Sequence, residues 1–134
     1  MIPARAFAVE LIAEPQHIDE LGHVNNAVWV DWMQNVATAH WRSLASAEEQ
    51  DAYVWFVVRH EIDYQRALKV GERAMAHTWA AEGARGAKFD RHMIFVGDDG
   101  KTLVSSVTTW AMIDRASGRP MRVPQSMIEK FSGG

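Results

Sequence analysis

Trp29, Trp32, Met33, Val36, Ala37, His40, Trp41 and Leu44 fall at i, i+3, i+4, i+7, i+8, i+11, i+12 and i+15. Only an α-helix brings that spacing to one side, so Val28 to Leu44 reads as a helix with a wide apolar face. Val28 and Val30 widen the stripe, while Asp31, Gln34, Asn35, Thr38 and Arg42 take much of the remainder. A helix with this much apolar surface has to be covered, and on more than one side. Asn25 or Asn26 supplies its N-cap, because a side-chain oxygen there accepts from an orphan backbone N–H.

The segments around the helix read as strands. Phe7 to Ile12 alternates Phe7, Val9 and Leu11 against Glu10, the period of a half-buried strand. Tyr53 to Tyr64 is rich in aromatic and β-branched residues, and Arg73 to Ala81, Ala87 to Val96 and Thr102 to Ile113 follow. Glu82-Gly83-Ala84-Arg85-Gly86, Gly97-Asp98-Asp99-Gly100 and Asp114 to Gly118 have turn composition. Ser46-Ala47-Glu48-Glu49 is a capping box for a short second helix, and Pro124 stands near the start of a short terminal helix reaching Phe131. The order is strand, long helix, then four strands in antiparallel succession: an α+β fold with the helix across the sheet. One helix covers only one face, so another face or an edge must meet something else, and dimerisation is the simplest solution.

A chain of 134 residues is expected to form one domain, residues 1–134. The net charge of −3 and scattered cations disfavour nucleic acid or an anionic membrane as partner. With no Cys there is no disulfide framework, thiol nucleophile or thiolate metal site. Neither a signal-peptide core nor a membrane-length apolar run is present, so a cytoplasmic, soluble protein is expected.

The chemistry concentrates in His17-Ile18-Asp19-Glu20-Leu21-Gly22-His23-Val24-Asn25-Asn26, directly before the long helix. A loop Asp at a helix start is most often a turn former or cap. Here Gly22 allows a sharp turn or a close approach to a ligand. The helix start offers unpaired N–H donors with partial positive charge, the parts of an oxyanion hole. Asp19 is therefore the candidate catalytic carboxylate. His23 is a base, a ligand hydrogen-bonder or a loop packer; Asn25 and Asn26 are explained by capping alone. His17, Asp19 and His23 do not make a metal template, so no metal is expected. His40, on the apolar helix face, reads as a satisfied core histidine. No nucleophile elbow, phosphate loop or dinucleotide fingerprint occurs, and Ser105-Ser106 sits mid-strand.

The loop and the element order together resemble the hotdog-fold thioesterases of the 4-hydroxybenzoyl-CoA thioesterase-like branch. That family shows Asp-x-Asp-x-x-Gly-His-Val-Asn-Asn followed by an aromatic residue. Its second Asp, the catalytic one, falls on Asp19; its first is His17 here, and its usual Tyr is Trp29. Glu61-Ile62-Asp63-Tyr64 with Gly71-Glu72, and Asp114 to Pro120 with Pro124, are similar to later parts of the family pattern. The family often has Ser or Thr where this chain has Gly86-Ala87-Lys88.

The resemblance implies an antiparallel sheet wrapped around one long central helix, in homodimers joined edge to edge or in tetramers of such dimers, with active sites at the dimer interface. It implies hydrolysis of an acyl-CoA thioester, with Asp19 as nucleophile or general base and the backbone N–H near Asn26 as oxyanion donor. Gly22 would allow close approach, and His23 or Asn25 would orient the water or the loop. Arg85 and Lys88 are candidate contacts to the CoA phosphates, or solvated turn charges. No cofactor is required. An acyl carrier protein thioesterase and a non-catalytic acyl-CoA-binding hotdog protein are the alternatives. The Trp residues of the helix line an acyl pocket or fill the core, and helical spacing favours core for most.

Overall fold

The computed structural model describes residues 1–133. Strand β1 (Phe7–Ile12) leads through a 3-10 turn (Pro15–His17) and the Asp19 loop into helix α1 (Asn26–Leu44). Short helix α2 (Ala47–Ala52), strands β2 (Tyr53–Tyr64), β3 (Arg73–Arg85), β4 (Lys88–Gly97) and β5 (Thr102–Asp114), and helix α3 (Gln125–Gly133) follow. The α2 capping box forms as expected: Ser46 Oγ accepts from Glu49 N at 3.1 Å, and Glu49 Oε1 accepts from Ser46 N at 2.8 Å.

The five strands form one antiparallel sheet in the order β1-β3-β4-β5-β2. This corrects the expectation of four strands in simple succession. β2 does not pair with β3; it crosses to the far edge and pairs with β5. The β3–β4 turn is also tighter than expected. Glu82 to Arg85 continue the strand beyond a register shift between Ala80 and Ala84. The chain reverses only at Gly86 and Ala87, where Gly86 at φ 63° takes the first position of a two-residue hairpin turn.

One face of the sheet meets α1. Trp29, Trp32, Met33, Val36 and Ala37 pack with Ala74, Ala76, Met93, Phe95 and Val104 in one cluster. Trp29 sets its ring edge-on to Trp32 at 5.1 Å and to Phe95 at 5.0 Å. A second cluster joins Met127, Ile128 and Phe131 of α3 to Ala80, Phe89 and Met112, with Trp41, Leu44, Tyr53 and Trp55 packed against it. Burying Trp29 and Trp32 is the main energetic reason α1 lies where it does; removing such a side chain costs about 3–5 kcal/mol.

Between the clusters lies a polar seam. His40, Arg91 and Thr78 are buried, and each sits in sequence between members of the two clusters. Arg91 Nη1 donates to His40 Nδ1 and to Thr78 Oγ1, both at 2.9 Å, and the Thr78 hydroxyl donates to the His92 carbonyl at 2.9 Å. His40 is thus the satisfied core histidine expected.

Strand β2 carries a bulge at Val58. Before it Trp55 and Val57 are less exposed than Phe56; after it His60 and Ile62 are less exposed than Glu61 and Asp63. The extra residue shifts the alternation, so both halves keep their apolar side inward. No helix among the described residues is long and apolar enough to cross a membrane.

Candidate active site

The Asp19 loop is a closed structure. Ala13 N donates to Glu72 O at 3.0 Å and Gly71 N to Ala13 O at 2.8 Å, fixing the loop's origin to the start of β3. Ile18 and Val24 form an antiparallel bridge, and Asp19 N donates to His23 O at 2.9 Å across it. Gly22 N donates to Asp19 O at 3.0 Å. Gly22 turns the chain at φ 80°, and a Cβ there would meet nothing within 4 Å, so the glycine is needed for the turn and not for space inside the protein. His17 has a structural part. Its Nδ1 accepts from Glu14 N at 3.0 Å, its carbonyl from Asn25 N at 3.0 Å, and its ring stands edge-on to Trp32 at 5.1 Å.

Asp19 is half-buried. Its Oδ1 accepts from Leu21 N at 2.9 Å, a turn that fixes the carboxylate. Its second oxygen has no hydrogen-bond partner among the described residues. Asn25 resolves the cap: its Oδ1 accepts from Ala27 N at 2.8 Å, and its carbonyl from Val28 N at 2.9 Å. Asn26 is therefore the first residue inside α1, and its N–H has no acceptor among the described residues. A carboxylate with a free oxygen, in the hydrogen-bonded loop, and a helix-start donor with no acceptor, directly after it, thus lie within eight residues of chain. The half-buried His23 contributes its carbonyl to the loop, and its ring makes no hydrogen bond among the described residues.

Tyr64 also reaches this place, its hydroxyl donating to the Asn26 carbonyl at 3.4 Å, and burial raises its pKa above the ordinary phenol value. It was not singled out from the sequence. The bulge at Val58 hides its side of the strand from a simple alternation count.

Arg85 and Lys88 do not join Asp19 within the chain. The loop is fixed at the start of β3, and Arg85 ends that strand, roughly 40 Å along it at 3.3 Å per residue. Arg85 makes a two-pronged ion pair with Asp90 at 3.0 and 3.2 Å, which raises the arginine's pKa and, with Thr109, lowers that of Asp90. No cluster of three or more potential metal ligands occurs among the described residues.

A family model, the thioesterase-like superfamily, matches residues 13–131, from the first residue of the loop to α3. The chain belongs to the thioesterase-like superfamily. This makes thioester hydrolysis the reaction class of the protein. No curated protein matches the sequence. Among solved structures, this thioesterase-like protein is similar to the Staphylococcus aureus protein SAV2348 in complex with CoA (TM-score 0.83, 16% identity, covering 98% of this chain and 84% of that one). It is similar to Slr0204, a 1,4-dihydroxy-2-naphthoyl-CoA thioesterase from Synechocystis (TM-score 0.82, 14% identity, 96% of each chain). A third is a thioesterase from Thermus thermophilus complexed with coenzyme A and Zn (TM-score 0.80, 21% identity, 95% and 91%). These likenesses establish the hotdog fold for the thioesterase-like chain.

Proposed function

We propose that this protein hydrolyses an acyl-CoA thioester, with Asp19 as nucleophile or general base and the Asn26 N–H as oxyanion donor. The observation that carries the reading is a closed loop that holds a carboxylate oxygen without a partner and leads directly into a helix whose first N–H has no acceptor among the described residues. The CoA bound to two of the similar proteins supports a CoA ester as the substrate form.

In the nucleophilic mode Asp19 attacks the thioester carbonyl carbon, and the displaced electron pair goes to the oxygen held by the Asn26 N–H. Collapse expels the CoA thiolate and leaves an acyl–Asp19 anhydride. Water opens it to the free acid and restores the carboxylate. In the general-base mode Asp19 takes a proton from the attacking water and returns it to the departing sulfur. A thiolate is a fair leaving group, and neither mode calls on a metal or organic cofactor.

A second copy of the chain completes the site in this reading. β2 is a twelve-residue edge strand on which Phe56 is 65% and Val58 51% exposed. An unpaired apolar edge of that length favours strand pairing with its own copy. In such a dimer, or a tetramer of dimers, Arg85 and Lys88 reach a CoA phosphate only in the site of a neighbouring subunit.

The test is free-thiol release from short, medium, long and aromatic acyl-CoAs by wild type and Asp19→Asn. Release by the wild type that is lost in a folded variant supports the reading. Full activity in the variant removes Asp19 from the chemistry. No release from any CoA ester turns attention to acyl carrier protein substrates, and binding without turnover to the non-catalytic alternative.

A further inference from the structure

The sheet has two faces, and α1 and α3 cover only one. Ala74, Ala76 and Ala80 of β3, Phe89, Met93 and Phe95 of β4 and Val104 of β5 belong to the buried clusters on that side. The residues between them point the other way, because successive side chains of a strand alternate. In register they form two cross-strand rows, Trp79–His92–Val107–Glu61 and His77–Ile94–Ser105–Asp63. Met75 and Val96, opposite each other, extend this outer face toward the start of β3. The buried residues of α1 and α3 all pack on the first side.

Met75, Trp79, Ile94, Val96 and Val107 make the middle of this face apolar, and Met75 is 38% exposed. Charged residues stand at its edges, and several are already paired within the chain: Arg59 with Glu61 at 2.7 Å and Arg73 with Glu10 at 3.3 Å. A centre with Trp and Met and without Lys, Asp or Glu, inside a charged rim, is the compositional mark of a contact surface. The relief is uneven. Trp79 and His92 stack with ring centres 5.4 Å apart and planes 14° from parallel, making one aromatic wall. Beside that wall runs a groove of about 570 Å3, floored by Ile94 and Val107 and bounded on the far side by Glu61, Asp63 and Ser105.

We propose that this outer face binds the same face of a second copy, the aromatic wall of each seated in the groove of the other across a two-fold axis. Wall and groove are complementary in hydrogen bonding. Trp79 brings an indole N–H and His92 an imidazole N–H, whereas Glu61 and Asp63 bring acceptors. The two-fold contact makes that match twice and sets each acidic side against the partner's rings instead of against its own copy. Sheets packed face to face lie about 10 Å apart, the room one layer of interdigitated side chains fills. Area decides the order of assembly. Five strands at about 4.8 Å, each presenting about 20 Å of length, offer roughly 500 Å2 per chain, short of the roughly 800 Å2 per partner of a standard interface. Two chains joined along β2 offer about twice as much, so the face joins two such pairs into an assembly of four. That stoichiometry rests on the β2 pairing proposed above; the choice of face does not.

The experiment is size-exclusion chromatography with light scattering on the full chain, with circular dichroism as the folding control. The wild type is expected at four copies. Val107→Lys in the groove floor and Trp79→Gln in the wall are each expected at two, and the edge variant Phe56→Lys/Val58→Lys at one. A wild type of one copy, or of two that Val107→Lys does not separate, overturns the proposal. So does a wild type of four that neither folded outer-face variant halves. Two copies that Val107→Lys does separate, or four that it halves while the folded edge variant stays at four, keep the outer face and remove the β2 pairing. Mass needs no substrate, so the result stands whether or not any CoA ester is hydrolysed. Because the chain has no Cys, Ser105→Cys puts a single thiol on this face with little change of shape. A short bismaleimide is expected to join it to its own copy, which decides the matter where the bulkier variants fail to fold; no covalent pair overturns the proposal.

Discussion

Arg91 donates from Nη1 to Nδ1 of His40 at 2.9 Å, tying the middle of β4 to the last third of α1. Because guanidinium has no acceptor, the imidazole must present a bare Nδ1 and carry its proton on Nε2. Burial first, and the Arg91 charge second, lower the His40 pKa to about 4, so the ring is neutral in the folded protein at pH 7.

That neutrality predicts an acid-labile fold. An unfolded histidine titrates near 6.5 and this folded one at about 4. Between these values the unfolded chain binds the extra proton, so the His40 contribution is intact above pH 6.5 and lost as pH falls toward 4. The full loss is about 3 kcal/mol. Urea unfolding of wild type and His40→Gln between pH 7 and 4 checks this. Glutamine keeps an acceptor for Arg91 but does not titrate, so the wild type should lose more stability across that range. Parallel curves would show that His40 does not control the acid limb.

Asp19→Asn should lower kcat by at least about a hundredfold, the scale of a lost acid–base group. Stability should change little, because the amide oxygen can still accept from Leu21 N–H. Thiol release and thermal melts, measured together, separate the two effects.

The Asn26 contribution is assigned to its backbone, which gives a sharp pair of variants. Asn26→Ala keeps the N–H and should retain most activity. Asn26→Pro removes the N–H at the first helical position, where proline is well tolerated. Asn25 at φ −61° and ψ 141° already has the backbone a following proline favours. Asn26→Pro should fold like wild type and lose roughly a hundredfold or more in kcat, the scale of one oxyanion donor. Equal activity in the two variants would remove this donor from the mechanism.

Gly22→Ala places a side chain on a backbone at φ 80°, although nothing would clash with it. The expected cost is about 1–2 kcal/mol from backbone strain alone. Chemical denaturation measures it. If the loop instead relaxes to negative φ, stability recovers while thiol release falls, because the Asp19 turn is lost.

Phe56→Lys and Val58→Lys together should shift the assembly toward monomer, since both are exposed on the β2 edge. Light scattering reads the mass, and activity should fall with it if a second copy completes the site. A fully active monomer would contradict that reading.

Strong local signals made much of this architecture legible in the sequence. The α1 stripe, the Ser46 box and the β1 alternation each depend on neighbours within a few residues, and each element forms with bounds close to those expected. Partners distant in sequence were not legible. The pairing of β2 with β5 rests on contacts about fifty residues apart, such as Ile62 with Ser106, which no local pattern encodes. The Asp19 loop stood out through its composition, yet the choice between Asn25 and Asn26 as cap awaited the Ala27 hydrogen bond. Trp29 and Trp32 are core as helical spacing suggested, whereas Trp41, on the same stripe, lines a cavity. Arg91 carries no local signal of its own, because its burial arises only when His40 of α1 and Phe131 of α3 close over β4.

The extra residue at Val58 makes β2 a strand with two phases, and the two ends of the molecule hang on different phases. Trp55 packs against Trp41 and Phe131 from the first, and Tyr64 touches the helix start from the second. Deleting one residue there would leave either end buildable but not both, so this single insertion acts as the joint that lets one strand serve both ends of the fold.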